Sequence, residues 1–374
     1  MKVVLVHDWL IHMRGGEKVL EALAELYPDA PIYTLFFSRE KLSPVLQNRE
    51  IHASFFQRIP GIRSFYRWLL PWMPWAIRSL DLPASDLVIS TSHCVAKGVR
   101  VPRGAVHVSY CHTPMRYLYG FGEEYFGNMP RILKPFLSAA LSLLRRWDKA
   151  SNQSVDCFIA NSENVRKRIQ TCYGRDSEVI HPPVNSRYFT SEGTEAPKDY
   201  YLVVSAFVPY KRVDLVIEAF NKLDRPLAVV GHGPLEETYR ALRKSPRISF
   251  LGAVPDKELR VLMSEARALI FPTEEDFGIV PLEAQACGTP VIAYGKGGAL
   301  ESVKSGVFFE DQTAESLQRA VLHFESLHFD RTLIPAKISQ FSKENFVRRV
   351  AEFVAGKTQK GVAGFAQSQI STAS

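Results

Sequence analysis

The 374-residue chain has no Cys-x-x-Cys pair, and its five cysteines (Cys94, Cys111, Cys157, Cys172, Cys287) lack zinc-ligand spacing. This excludes a structural zinc site and a disulfide framework, and it fits reduced thiols in a cytoplasm. No apolar run reaches the ~18 residues that span a bilayer, and MKVVLVHDWL has neither the apolar stretch nor the cleavage site of a secretory signal. Glycine and proline, 22 and 23 residues, are too few for a collagen-like or disordered chain. Acidic residues are scarce in one half only. Residues 1–190 carry 24 Lys+Arg against 16 Asp+Glu, whereas residues 191–374 carry 22 against 23. A one-sided positive field of this kind suits an anionic ligand or surface: phosphate, lipid headgroups or nucleic acid. What remains is an ordinary globular composition, 46% hydrophobic and 23% charged, long enough for two domains.

Both halves alternate short apolar runs with amphipathic stretches. Val3–Val6 is followed by Gly15-Gly16 and by Val19, Leu20, Leu23 and Leu26 at helical spacing. The second half repeats the scheme with Tyr201–Ser205, Val213–Phe220, Leu227–Val230, Ala268–Phe271 and Pro290–Ala293. This alternation predicts an α/β protein of two Rossmann-like domains whose parallel sheets face an interdomain cleft. The boundary falls in 182–200, where Pro182-Pro183 and SEGTEAPKD interrupt structure. The expected division is 1–190 and 191–341, with a C-terminal helix near 342–355 completing the first domain and a disordered tail over 356–374.

Two stretches carry chemistry. In FPTEEDFGIVPLEAQACG, Pro281 suits a helix's first turn and Gly288 its end. That places Glu283 in the first turn and Glu275 in the preceding loop, with the amides around Phe277, Gly278 and Ile279 available to an oxygen-rich ligand. Two isolated glutamates are ordinarily solvated; here they follow a buried strand and flank a glycine-bearing helix entrance. In SAFVPYKRVD, Lys211 and Arg212 put two cations at a helix start after a strand, which suits a diphosphate. Gly15 and Gly16 open a helix in the first half in the same way. His7 and Asp8 end the first strand, and His93, Lys97, His112 and Arg116 lie near other strand ends.

In combination these stretches resemble retaining glycosyltransferase family 4. FPTEEDFGIVPLEAQACGTPVIAYGKGGALESV carries a Glu-x7-Glu pair on Glu275 and Glu283, and VSAFVPYKRVDLVIEAF and VVGHGP resemble neighbouring blocks of that family. HDWLIHMRGGEKVLEAL, TSHCVAKGVR and SYCHTPMRYLY agree in the first half, the last resembling a bacterial mannosyltransferase-like subgroup of O-antigen or exopolysaccharide assembly. The resemblance covers residues 1–355 and implies a GT-B fold binding a nucleotide-sugar donor, with GDP-mannose as the expected sugar source and no cofactor. It implies that Glu283 holds the ribose hydroxyls. Glu275 and His112 meet the donor sugar, with amides near Phe277, Gly278 and Ile279, and Lys211 and Gly16 meet the diphosphate. From their place near strand ends, His93, Lys97 and Arg116 are expected to contact the acceptor, a polyprenyl-diphosphate-linked saccharide, or the pyrophosphate on it. Many members have Arg where this chain has Ala206, a place Arg212 could fill. No Asp-x-Asp pair occurs, which suits a metal-free site where cations and helix amides stabilise the leaving diphosphate. The competing readings are a UDP-sugar transferase, a nucleotide-sugar 2-epimerase and a basic nucleic-acid-binding protein; no nucleic-acid module is recognisable.

Residues 51–80 contain four arginines and no acidic residue. Ile62, Phe65, Tyr66, Leu69 and Leu70 fall on one helical face beside Arg63 and Arg67, and Pro71 and Pro74 leave Trp72 and Trp75, near Trp68, in a bent segment. Phe136–Trp147 is a second apolar stretch. The expectation is a cytoplasmic enzyme, peripheral on the inner face of the plasma membrane, with this face on anionic lipid.

Overall fold

The computed structural model describes residues 1–120, 134–186, 188–190 and 197–358. It divides into two units, Met1–Pro183 with the chain from Glu344 onward, and Val184–Lys343. The first holds seven parallel strands, β1 (Val3–His7), β2 (Ile32–Thr34), β3 (Ile51–Ala53), β4 (Leu87–Ser92), β5 (Val106–Cys111), β6 (Cys157–Ala160) and β7 (Ser177–Val179), in the order β3-β2-β1-β4-β5-β6-β7. The second holds six, β8 (Tyr201–Val204), β9 (Leu227–Val230), β10 (Ile248–Gly252), β11 (Ala268–Phe271), β12 (Val291–Tyr294) and β13 (Gly306–Phe309), in the order β10-β9-β8-β11-β12-β13. Strands β8 and β11, and β1 up to His7, are continuous apolar runs because helices cover both faces of each sheet.

Each sheet is sandwiched between two apolar clusters. In the first unit Val4, Val6 and Val88 point to one cluster, and Leu5, Leu87 and Ile89 to the other. Phe346, Val350 and Val354 of the last helix, Lys343–Lys357, join the second of these, and Phe346 meets Tyr110 edge-on at 5.8 Å. Residues 356 and 357, expected in the tail, are that helix's last turn; from residue 359 the expected tail lies outside the described residues. The expected boundary at 190/191 also moves. The Val184 N–H donates to Phe341 O (2.9 Å), and Phe189 packs with Leu202 and Leu269, so Val184–Phe189 joins the second unit.

The expected amphipathic helix breaks earlier than its prolines: at Phe65 (φ −130°) the short helix Ile62–Phe65 gives way to a 3-10 stretch, Tyr66–Trp72, that contains Pro71, and Pro74 opens the helix Met73–Arg78, where a missing N–H is tolerated. Its apolar stripe faces inward: Ile62 and Leu70 are buried, and Tyr66 and Leu69 pack on the same cluster. The tryptophans turn out. Phe136 is a side chain outside the described set.

In both units strand order reverses between the first strand and the fourth, β1 with β4 and β8 with β11. Loops leaving the carboxyl ends of two such strands diverge to opposite faces, opening a crevice there.

Candidate functional site

In the second unit the loop after β8 carries Lys211 and the loop after β11 carries Glu275. Three ties hold these loops together. Thr273 Oγ1 donates to Tyr210 O (3.0 Å), Lys211 Nζ donates to Glu275 Oε1, and Arg212 reaches Gln312 Oε1 (3.2 Å) while Gln312 Nε2 donates to Pro272 O (2.8 Å). Lys211 ends a 3-10 turn, Pro209–Lys211, and lies 5.4 Å from the Tyr210 ring. Arg212 takes up a left-handed conformation (φ 51°) to start the helix Val213–Leu223, a conformation that is costly without glycine. Its guanidinium also reaches Asp214 (3.4 Å), so part of its charge is already answered.

Gly278, at φ 89°, turns the second loop into the helix Ile279–Ala286. That helix starts two residues before Pro281, so Glu283 is its fifth residue rather than lying in its first turn. Glu283 is buried. The Phe277 side chain is core, 5.7 Å from Phe341, which leaves its backbone as the part able to meet a ligand. Ile279 is half-buried. The glycine pair Gly297-Gly298, which spacing alone leaves unremarkable, explains how the loop is held. Gly298 N–H donates to Glu275 O (2.8 Å), and a Cβ on Gly298 would lie 2.2 Å from Phe277 Cα. Larger residues there would push the Glu275 loop away.

In the first unit Gly15 and Gly16 begin the helix Gly15–Leu26. A Cβ on Gly16 would meet His112 Nε2 at 3.4 Å and His7 Cε1 at 3.6 Å. His7, His93 and His112 surround this point, with ring centroids 6.4–6.5 Å apart. His7 Nδ1 and Thr91 Oγ1 share a 2.6 Å hydrogen bond, and Thr91 Oγ1 also lies 3.3 Å from Val6 O. His7 Nε2 and His112 Nε2 are buried without a hydrogen-bond partner. Burial, then the neighbouring imidazoles, holds His7 far below the usual histidine range and His112 down at about 3. These are neutral rings suited to a hydroxyl donor rather than to phosphate charge. Asp8 orders the adjoining turn. Its carboxylate accepts the N–H groups of His93, Cys94, Val95 and Ala96 (2.7–2.9 Å) and the His93 ring (3.1 Å).

Two expected acceptor residues fare differently. Arg116 is half-buried in the turn after β5. Lys97 does not face a ligand. It is buried in an ion pair with Asp148 (2.6 Å), donates to Asp148 O (2.8 Å) and Ser151 Oγ (2.6 Å), and lies 5.0 Å from the Tyr173 ring. It is drawn inward because Gly98 lets Trp147 close over it; a Cβ there would be 2.3 Å from the indole. Among the described residues no group of three His, Cys, Asp or Glu side chains is arranged to hold a metal ion.

Two parallel-sheet units of like strand order, each with polar side chains at its switch point, define a GT-B architecture. The family described as Glycosyltransferase Family 4 matches residues 13–188, and that described as Glycosyl transferases group 1 matches residues 185–339. The chain belongs to the GT-B glycosyltransferases of this family 4/group 1 type. An uncharacterized glycosyltransferase of Methanocaldococcus jannaschii is 28% identical over 229 residues, 58% of this chain and 64% of that protein. D-inositol 3-phosphate glycosyltransferase of Mycolicibacterium paratuberculosis is 31% identical over 175 residues, 41% of this chain and 40% of that protein. The matches thus span less than two thirds of these relatives. Among solved structures, Anabaena HepE in complex with UDP and glucose shares the fold at a TM-score of 0.69 and 17% identity, over 95% of this chain and all of that one. Sucrose-phosphate synthase from Thermosynechococcus elongatus does so at 0.69 and 18%, over 95% and 98%.

Proposed function

We propose that the protein transfers a hexose, with retention at the anomeric carbon, from a nucleotide sugar to a hydroxyl of a polyprenyl-diphosphate-linked saccharide in cell-surface polysaccharide assembly. The observation that carries this reading is the Lys211–Glu275 pair across two switch-point loops, beside the helix that buries Glu283. In the resting protein Glu275 holds the ammonium in place. When the donor binds, its diphosphate takes over Lys211, and the released carboxylate turns to the sugar hydroxyls. Glu283 holds the ribose. The bond from the anomeric carbon to the diphosphate oxygen breaks, and the nucleoside diphosphate leaves with the electron pair. The acceptor oxygen bonds to that carbon on the same face and passes its proton to the leaving phosphate. Fixed cations and backbone amides stabilise the departing charge without a divalent metal.

GDP-mannose is the proposed donor, on the resemblance of SYCHTPMRYLY to the mannosyltransferase-like subgroup. A UDP-sugar is the second reading, favoured by the UDP and UDP-glucose bound in Anabaena HepE. Melting curves with GDP and with UDP choose between them, because a ligand that binds only the folded state raises the transition. Incubation with a nucleotide-sugar panel and extracted lipid-linked oligosaccharides, read by mass, then identifies the product. A hexose added to the lipid-linked acceptor in the presence of EDTA is the expected result. No stabilisation by either nucleotide, or an epimerised sugar released without acceptor, overturns the proposal.

A further inference from the structure

Three of the chain's five tryptophans lie within eight residues, and all three are on the surface: Trp68, Trp72 and Trp75 are 68%, 55% and 66% exposed. Exposing so much aromatic surface works against folding, since each indole forgoes a large burial. The fold does not need them outside for packing, because Leu70, Met73, Ala76 and Ile77 from the same turns fill the core. Trp75 leans against the Phe55 ring at a tilt of 53°, centroids 4.6 Å apart. Exposed apolar surface concentrated in this way marks a place of contact.

The charges around it select the partner. Arg58, Arg67 and Arg78 are exposed, and no acidic residue occurs from 51 to 80. Arg63 contributes less, since it pairs with Glu40 (2.8 Å). The helix Lys134–Ser151 packs against the Tyr66–Trp72 turn and extends the same character. It turns Leu143 outward, 65% exposed, together with Arg146 and Lys149. A second copy of the chain is a poor occupant, because a two-fold contact would bring the arginines of both copies together with only Glu40, already paired with Arg63, and Asp81 at the segment's end to answer them. Indole beside guanidinium fits the headgroup boundary of a bilayer, where the ring body enters the acyl edge and the cation meets phosphate.

We infer that the Trp68–Trp72–Trp75 face, flanked by Arg58, Arg67 and Arg78, docks the first unit on an anionic phospholipid bilayer. It is the tryptophans that enter the interface, while Ile62 and Leu70, on the sequence's apolar stripe, stay in the core. The inference stands on this unit alone and does not depend on the donor or the reaction.

Flotation with vesicles of phosphatidylcholine, and of phosphatidylcholine mixed with phosphatidylglycerol, tests it on the full chain. Binding to the mixed vesicles only, weakened by raised salt, is expected. Arg58→Glu with Arg67→Glu should weaken it at least tenfold, and Trp68→Ala, Trp72→Ala and Trp75→Ala together should abolish it. Quenching of wild-type tryptophan emission by brominated lipid reads the insertion without any variant. Absence of binding, equal binding to neutral vesicles, no quenching by brominated lipid, or unchanged binding in the folded triple variant overturns the inference. So does a wild-type dimer that the triple variant converts to a monomer while vesicle binding is absent.

Discussion

Each unit contains a lysine–carboxylate pair whose lysine follows a strand, and the two pairs differ in enclosure. Lys97 and Asp148 are 2% and 0% exposed; Lys211 and Glu275 are 18% and 23% exposed. The first is fully enclosed, with Ser151 and Tyr119 sharing its hydrogen bonds and the Tyr173 ring beneath the ammonium. The second ties two loops at the edge of solvent, where an incoming anion can compete for the lysine. Both lysines follow a strand, β4 and β8, within a few residues; their partners differ in origin, Asp148 from the helix Lys134–Ser151 and Glu275 from the loop after β11. Enclosure separates a pair locked into the core from one that a ligand can reach.

The largest expected effect breaks the enclosed pair. Lys97→Ala strands the Asp148 carboxylate in the core and should cost about 3–5 kcal/mol of unfolding free energy, measured in urea. Adding Asp148→Ala should recover part of that loss, because the unpaired charge goes with it. A Lys97→Ala protein of native stability, impaired only in its KM for acceptor, would return Lys97 to the ligand side of the comparison.

Next comes the open pair. Lys211→Ala should change stability by no more than ~1 kcal/mol, since a partly exposed ion pair contributes little. Turnover should fall about 10²–10³-fold, the ~2.7–4 kcal/mol of one lost preorganised stabiliser. Glu275→Gln should lower kcat with the fold intact, whereas Glu283→Ala should chiefly weaken nucleotide affinity. Titration of each variant with the preferred nucleotide, alongside turnover, separates these outcomes. Near-native turnover in both glutamate variants would remove the second unit's loops from the site.

The same contrast shows what the sequence carries and what it does not. Charged residues at helix starts after apolar strands are visible as spacing, so Lys211, Glu275 and the α/β alternation of both halves were readable. Three-residue strands such as β2, β3 and β7 are too short for periodicity to register. Burial was the larger blind spot. Lys97 and Lys211 read alike until Gly98 is seen to admit Trp147, and Gly297-Gly298 gains meaning only when its loop meets Glu275. Neutral histidines are equally silent. The chain spells His7 and His112 as possible cations, whereas desolvation keeps both rings neutral.

That last point gives the smallest effect and a way to observe the first unit separately. His7, His107 and His112 all have their pKa values lowered, chiefly by burial, His107 to about 4 and His112 to about 3. An unfolded histidine titrates near 6.5, so above that pH neither state binds the proton and stability is flat. As pH falls below 6.5 the unfolded chain takes up protons that the folded unit refuses. Each ring then costs up to ~1.4 kcal/mol per pH unit, until its folded pKa is reached. The loss therefore runs from pH 6.5 down to about 4 for His107 and about 3 for His112. All five tryptophans lie in the first unit, at 9, 68, 72, 75 and 147, so their emission during urea unfolding reports that unit alone. His107 is satisfied on both nitrogens, by Ser154 O (2.7 Å) and Ser90 Oγ (2.9 Å), whereas His7 and His112 each leave Nε2 unpartnered. His112→Gln should thus flatten the acid slope by one histidine's share at little cost near pH 7.5. His107→Gln should flatten it equally but lower the plateau, because a filled hydrogen-bond site is lost. An unchanged slope in both variants would mean that the rings protonate in place, and that the neutral pocket around Gly16 is not what the first unit presents.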